Sequence, residues 1–155
     1  MDAVFKSHVD ALPGALERLV SMRPVTTSTL PPQMPQRGIY VLSEGIAHLY
    51  VGRSNRLRTR LRDHAGPTAT HRQAAFAFRL AREATGNLKA TYKRLGSRGS
   101  LMEDPAFVAA FNHAKGRIGR MDVRFIDEDD PVRQCLMEVY AAIALRTPYN
   151  DFDNH

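Results

Sequence analysis

The side chains best suited to handling a phosphate and a water molecule are Tyr40, Tyr50, Arg60, His64, Glu138 and Asn150. Two tyrosines sit beside glycines in short runs of strand formers, Gly38-Ile39-Tyr40 and Tyr50-Val51-Gly52. An odd hairpin loop sets them opposite each other on one face, and a two-residue loop sets them on opposite faces. A strand tyrosine taken alone is most often a packing residue. Arg60 and His64 lie four apart, hence on one helix face. Arginine binds phosphate in bidentate fashion, so this pair beside a tyrosine-bearing hairpin could form a phosphate site. The plainer alternative is a solvated helix face. Glu138 is the only charged side chain between Gln134 and Leu145. A lone carboxylate is costly to bury without a cation or donor. On a helical wheel Val132, Leu136, Val139 and Ile143 form the main apolar face. Glu138 lies roughly opposite, beside Ala141, Ala142 and Leu145, either pointing to water or facing room for a metal and a phosphate. Asn150, just after Pro148, could brace such a site.

The elements that must position these groups are legible in outline. Residues 1–22 carry apolar residues at helical spacing, broken by Pro13-Gly14 into two packing helices. Residues 24–36, rich in Pro, Thr and Ser, read as an extended strap. A hairpin of 38–43 and 47–52 follows, then a basic helix at 55–65 capped by Ser54 or Asn55 and stopped by Gly66-Pro67. Helices are expected at 71–84, 87–95 and 104–116, with a loop at 96–100. Met121–Ile126 alternates polar and apolar residues as a third strand. The acidic run 127–130 reads as a solvated turn that starts a helix over 131–146, ended by Pro148.

Composition narrows the class. The chain has 155 residues, 43% hydrophobic and 25% charged, which is the balance of one ordinary globular domain. Its longest uninterrupted apolar run, Val139 to Leu145, is far below the ~20 residues of a membrane span. The opening Met-Asp-Ala-Val-Phe-Lys is unlike a secretory leader. One cysteine, Cys135, fits a reducing cytoplasm and excludes zinc sites built on several cysteines. The net charge is +6, unevenly placed: Gly52 to Arg124 holds 16 Lys and Arg against 5 Asp and Glu, and the remainder is net acidic. A basic middle third points to a polyanion. Arg56, Arg58, Arg60 and Arg62 fall in the first turns of the basic helix, where cations oppose the dipole; this implies an external anion there.

Gly38-Ile39-Tyr40, nine residues, Tyr50-Val51-Gly52, then Arg60, His64, Glu138 and Asn150 in order resemble the GIY-YIG nucleases. The resemblance covers roughly 37–66 and 120–152, with Val51 where the family name has isoleucine. It implies an α+β fold, a small three-stranded antiparallel sheet flanked by helices. The chain would be a single domain, 1–155, with an N-terminal helix and strap at 1–36 and a basic helical insertion at 67–119. It implies hydrolysis of DNA phosphodiester bonds, in double-stranded or branched DNA, with one Mg²⁺ or Mn²⁺ held by Glu138. By the same resemblance Tyr40 positions or deprotonates the attacking water, Tyr50 binds phosphate or holds water, and Arg60 binds the scissile phosphate. A tyrosine base needs local cations, since its free pKa is near ~10. His64, with an ordinary pKa of ~6.5, is the alternative proton acceptor, and the residues do not choose between the two. Arg53, Arg56, Arg58, Arg62, Arg72, Arg79, Arg82, Lys89, Lys93, Arg94 and Arg98 would track the DNA backbone. The competing readings are an inactive nucleic-acid-binding module of the same fold and a protein-interaction domain with incidental charge. Oligomeric state stays open.

Overall fold

Strands Gly38–Glu44 (β1), Ala47–Ser54 (β2) and Asp122–Asp127 (β3) form an antiparallel sheet in the order β2-β1-β3. The computed structural model describes residues 1–88 and 96–153. Its helices are Ala3–Asp10 (α1), Leu12–Ser21 (α2), Leu57–Ala65 (α3), Ala75–Thr85 (α4), Arg98–Leu101 (α5), Pro105–Gly119 (α6) and Pro131–Ala144 (α7). This is the expected α+β architecture. Among the described residues no helix is long and apolar enough to cross a membrane. The chain divides into two compact units, Met1–Thr59 with Met121–His155, and Arg60–Arg120. The second unit takes in the expected insertion and also the C-terminal part of α3.

In the first unit, one sheet face carries Ile39, Val41, Val51 and Ile126, which pack with Leu12, Ala15 and Leu19 of α2 and Met137 and Ala141 of α7. The other face carries Tyr40 and Leu42 of β1, Tyr50 and Gly52 of β2, and Val123 and Phe125 of β3, because directly paired residues share a face. The strap lies along β3, where Val25 and Val123 exchange both backbone hydrogen bonds. Aspartate side chains cap three of the helices: Asp2 for α1, Asp104 for α6 and Asp130 for α7. The acidic run is thus a helix start, as its composition implies. At α3, Ser54 Oγ accepts from Arg56 N, while Asn55 accepts from Gln134 Nε2.

Four boundaries depart from expectation. The N-terminal helices separate at Ala11; Pro13 occupies the first turn of α2, where its missing N–H costs nothing, and Gly14 is helical. The Gly-Ser-Arg-Gly-Ser stretch is not all loop: Ser97 caps a single helical turn, α5. Helix α4 starts at Ala75, later than the expected 71. Helix α7 is ended not by Pro148 but by Arg146, which takes a positive φ of 53°. Arg146 N bonds Ile143 O and Thr147 N bonds Ala142 O, satisfying the last carbonyls. The expected helix at 87–95, with Lys89, Lys93 and Arg94, falls mostly on 89–95, outside the described residues.

In the second unit α4 buries Phe76, Ala77, Phe78, Leu80 and Ala81, and α6 buries Phe107, Phe111, Ala114 and Ile118. Phe78 lies 5.0 Å from Phe107 and 6.3 Å from Phe111, centroid to centroid. Lys115 is buried on α6 with its ammonium donating to the carbonyls of Pro67 and Ala69, at 2.9 and 3.1 Å, and set over the Phe111 ring.

Both motif glycines are required by contact. A methyl on Gly38 would collide with the carbonyl of Ile126, and one on Gly52 would collide with the phenol of Tyr40. The first obstacle is backbone and the second is the tip of a side chain. Gly38→Ala should therefore cost more stability than Gly52→Ala, whose loss should stay within about 1–3 kcal/mol. Urea unfolding of both variants checks the order, and aromatic NMR shifts check that Gly52→Ala displaces the Tyr40 ring.

Candidate active site

The hairpin turns through two residues, Gly45 and Ile46, yet Tyr40 and Tyr50 share a face. Neither simple loop rule accounts for this. Leu42 pairs with Tyr50 while Ser43 pairs with His48, so Leu49 is an extra residue on β2. This β-bulge reverses the alternation beyond it. Ser43 Oγ and His48 Nδ1 close it at 2.8 Å, and Tyr149 N donates to the Leu49 carbonyl. The tyrosines are diagonal neighbours with ring centroids 6.3 Å apart. Tyr40 pairs with Gly52 and is completely buried; Tyr50 pairs with Leu42 and is partly exposed.

Val51 and Arg53 point to the other face of β2; Glu138 meets the Arg53 side chain and Asn150 meets the Val51 backbone. Arg53 Nε donates to Glu138 Oε2 at 2.8 Å, across 85 residues of sequence. The Glu138 side chain is 24% exposed and that of Arg53 44%. Asn150 meets the free edge of the strand. Its Oδ1 accepts from Val51 N and its Nδ2 donates to Val51 O, both at 2.8 Å. The amide thus replaces the peptide of a missing neighbouring strand. Thr147 Oγ1 donates to the same Oδ1, and the reversed turn at Arg146 brings the segment round.

The wheel reading of α7 is overturned at three of its four positions. Val132, Val139 and Ile143 are 49%, 37% and 68% exposed, whereas Leu136 is half-buried against the core, and the fully buried positions are Gln134, Met137, Ala141 and Ala142. Alanines let the helix axis approach the sheet more closely than branched side chains do, so the small-residue face docks. Glu138 follows Met137 at the margin of that docked face, neither opposite it nor alone in water. Arg53 supplies the cation that a half-buried carboxylate needs. Nothing in the neighbourhood of either residue in sequence announces the pair.

The remaining predicted residues belong to the second unit or to the start of α3. Arg58 donates to the carbonyls of Pro31 and Pro32. Arg60 Nη1 donates to Gln73 O at 2.8 Å. Both cations thus donate to backbone carbonyls of the protein. Arg56, Arg62 and Arg72 are exposed, and Arg79 and Arg82 are half-buried. His64 is completely buried with its ring 6.3 Å from Phe76, edge-on. Burial, aided by the charge of Arg60, pushes its pKa down to about 3. The expectation that its ordinary pKa suits proton transfer at neutral pH does not hold in this setting; a base this weak accepts protons poorly.

Among the described residues no three His, Cys, Asp or Glu side chains gather into a metal-holding cluster. Glu138 stands as a single carboxylate. That donor set fits a hard cation such as Mg²⁺, which binds through one or two carboxylates and keeps several waters. Of the acidic run, Asp130 caps α7 and Glu128 pairs with Arg133 at 3.0 Å. No family model matches the chain, and no curated protein or solved structure matches it.

The depressed His64 pKa makes folding pH-dependent. The unfolded ring, near ~6.5, binds a proton that the folded ring refuses, so its contribution is whole above pH ~6.5 and is lost as pH falls toward the folded value. Denaturant unfolding across pH 7 to 4 should show His64→Gln losing less stability over that window than the wild type. Asn150→Ala removes both bonds at Val51 and should cost about 1–3 kcal/mol, with faster amide exchange confined to Val51 and its neighbours.

Proposed function

We propose that this chain is a divalent-metal-dependent endonuclease that hydrolyses DNA phosphodiester bonds with a GIY-YIG-type site. The observation that carries the reading is the gathering of chemistry on one four-residue segment of edge strand, Tyr50 to Arg53. Tyr40 lies over Gly52, Asn150 grips Val51 and Glu138 pairs with Arg53. The tyrosines lie on one face of that segment and the Arg53–Glu138 pair on the other, so both flank the same strand edge.

Glu138 would hold the cation. Bound Mg²⁺ or Mn²⁺ would neutralise charge developing on the phosphate. Tyr50, the partly exposed tyrosine, is the phenol available to orient water or phosphate, and buried Tyr40 fixes its setting from beneath. The low pKa of His64 favours a tyrosine over the imidazole as the proton-handling group. Arg60 is carried over as the phosphate ligand by the motif alone. A cytoplasmic setting and a double-stranded or branched substrate belong to this reading.

A second reading, a binding module without turnover, has its own support. One Glu138 oxygen is already taken by Arg53, and Tyr40 is inaccessible. Supercoiled-plasmid and branched-duplex cleavage with Mg²⁺, Mn²⁺ or EDTA separates the two. The nuclease reading expects metal-dependent nicking, reduced at least ~100-fold in Glu138→Gln and in Arg60→Ala. A folded Glu138→Gln protein that cuts like the wild type overturns the metal site. Salt-sensitive binding with no cleavage of either substrate establishes the binding module.

A further inference from the structure

A second cluster of cations lies wholly within the Arg60–Arg120 unit. The Arg98 guanidinium sits over the Phe78 ring, 4.6 Å from its centroid, and that of Arg82 lies 6.0 Å from the same centroid. The His71 ring is 5.9 Å from it as well. Phe78 itself is 2% exposed, held from below by Phe107 and Phe111, so it is a rigid floor. Three nitrogen-bearing groups from three segments therefore converge on one buried phenyl ring.

The two arginines donate to backbone carbonyls. Arg98 Nη2 reaches the His71 carbonyl at 3.4 Å, and Arg82 Nε donates to Asn87 O at 2.7 Å. Among the described residues no other hydrogen bond to these two guanidinium groups is made. Among the described residues Arg72, Arg82, Arg98 and His71 have no carboxylate partner. Residues 89–95, outside the described set, contain no acidic residue either. The crowding is felt: burial and the charge of Arg98 lower the pKa of Arg82, and burial, Arg98 and Arg72 lower that of His71. Like charges this close cost free energy unless an anion joins them. The forked guanidinium is the side chain best matched to a tetrahedral oxyanion.

We propose that Arg98 and Arg82, with His71 beside them on the Phe78 floor, form a phosphate-binding site. Its ligand chemistry is a phosphate group, supplied either by a nucleic-acid backbone or by a small phosphate compound. Arg98 is the exposed, reachable member and makes the principal contact; Arg82, anchored through Asn87, is the fixed one. The first source deepens the DNA reading given above; the second is independent of it.

The test measures binding in EDTA, so it does not depend on cleavage. Pyrophosphate binding is followed by calorimetry, and duplex-DNA binding by fluorescence anisotropy across a salt series. The proteins are wild type, Arg98→Gln, Arg98→Lys and a charge control, Arg18→Gln, on the exposed side of α2. Circular dichroism establishes that each is folded. The expected result is saturable pyrophosphate binding that weakens roughly tenfold in Arg98→Gln, less in Arg98→Lys and not at all in Arg18→Gln. If the backbone of DNA is the natural source, Arg98→Gln also weakens DNA binding and lowers the salt slope by about one. Loss of pyrophosphate binding with DNA binding unchanged assigns the site to a small phosphate compound. The proposal is overturned if folded Arg98→Gln matches Arg18→Gln with both probes, or if the wild type binds neither saturably. Either result leaves the cleavage experiment to be decided on its own evidence.

Discussion

One residue without a partner, Leu49, determines which way the rest of β2 faces. Strand alternation has a period of two, so a single added residue exchanges the two faces for everything beyond it. With it, Tyr50 and Gly52 join Tyr40, and Val51 joins the core of Ile39, Val41 and Ile126. Without it Val51 would leave that core, and the glycine that accommodates the Tyr40 ring would be turned away. The bulge is fixed on both sides, by the Ser43–His48 bond and by Tyr149 on its carbonyl. The position of the tyrosines is a property of the hairpin as a whole, and neither tyrosine could be moved alone.

Around that strand, side chains occupy places where a larger sheet would put backbone. Asn150 acts as a peptide unit, and its amide is oriented by Thr147 from the same turn. Arg53 reaches from β2 to Glu138 on α7, joining strand and helix by charge at the margin of an otherwise apolar contact. A half-exposed pair of this kind is worth little as a stabilising bond. Its consequence is geometric: the carboxylate is held at one place before anything binds.

The sequence carried the local signals well and the tertiary choices poorly. Aspartates before prolines announce α6 and α7, glycines flank the strands, and the strap is written in its prolines. Which face of α7 docks was not legible, because hydrophobicity favours Val132, Val139 and Ile143 while close approach favours Ala141 and Ala142. The burial of His64 was hidden for a related reason: three arginines make α3 look solvated, although Leu57, Leu61 and His64 are all fully buried. The Leu49 bulge has no composition of its own. The Arg53–Glu138 pair links positions that only the completed fold brings together.

The sheet has two outer strands, and neither is left as an open template. Val25 from the strap closes part of β3, and Tyr149 with Asn150 closes β2 at Leu49 and Val51. Unpaired strand edges recruit other chains, and a three-stranded sheet has proportionately more edge than a large one. The same few residues that steady the candidate site therefore also discourage strand-to-strand self-association. Protein stripped of residues 149–153 would present β2 as a ready partner for its own copies, and its first visible defect would be aggregation.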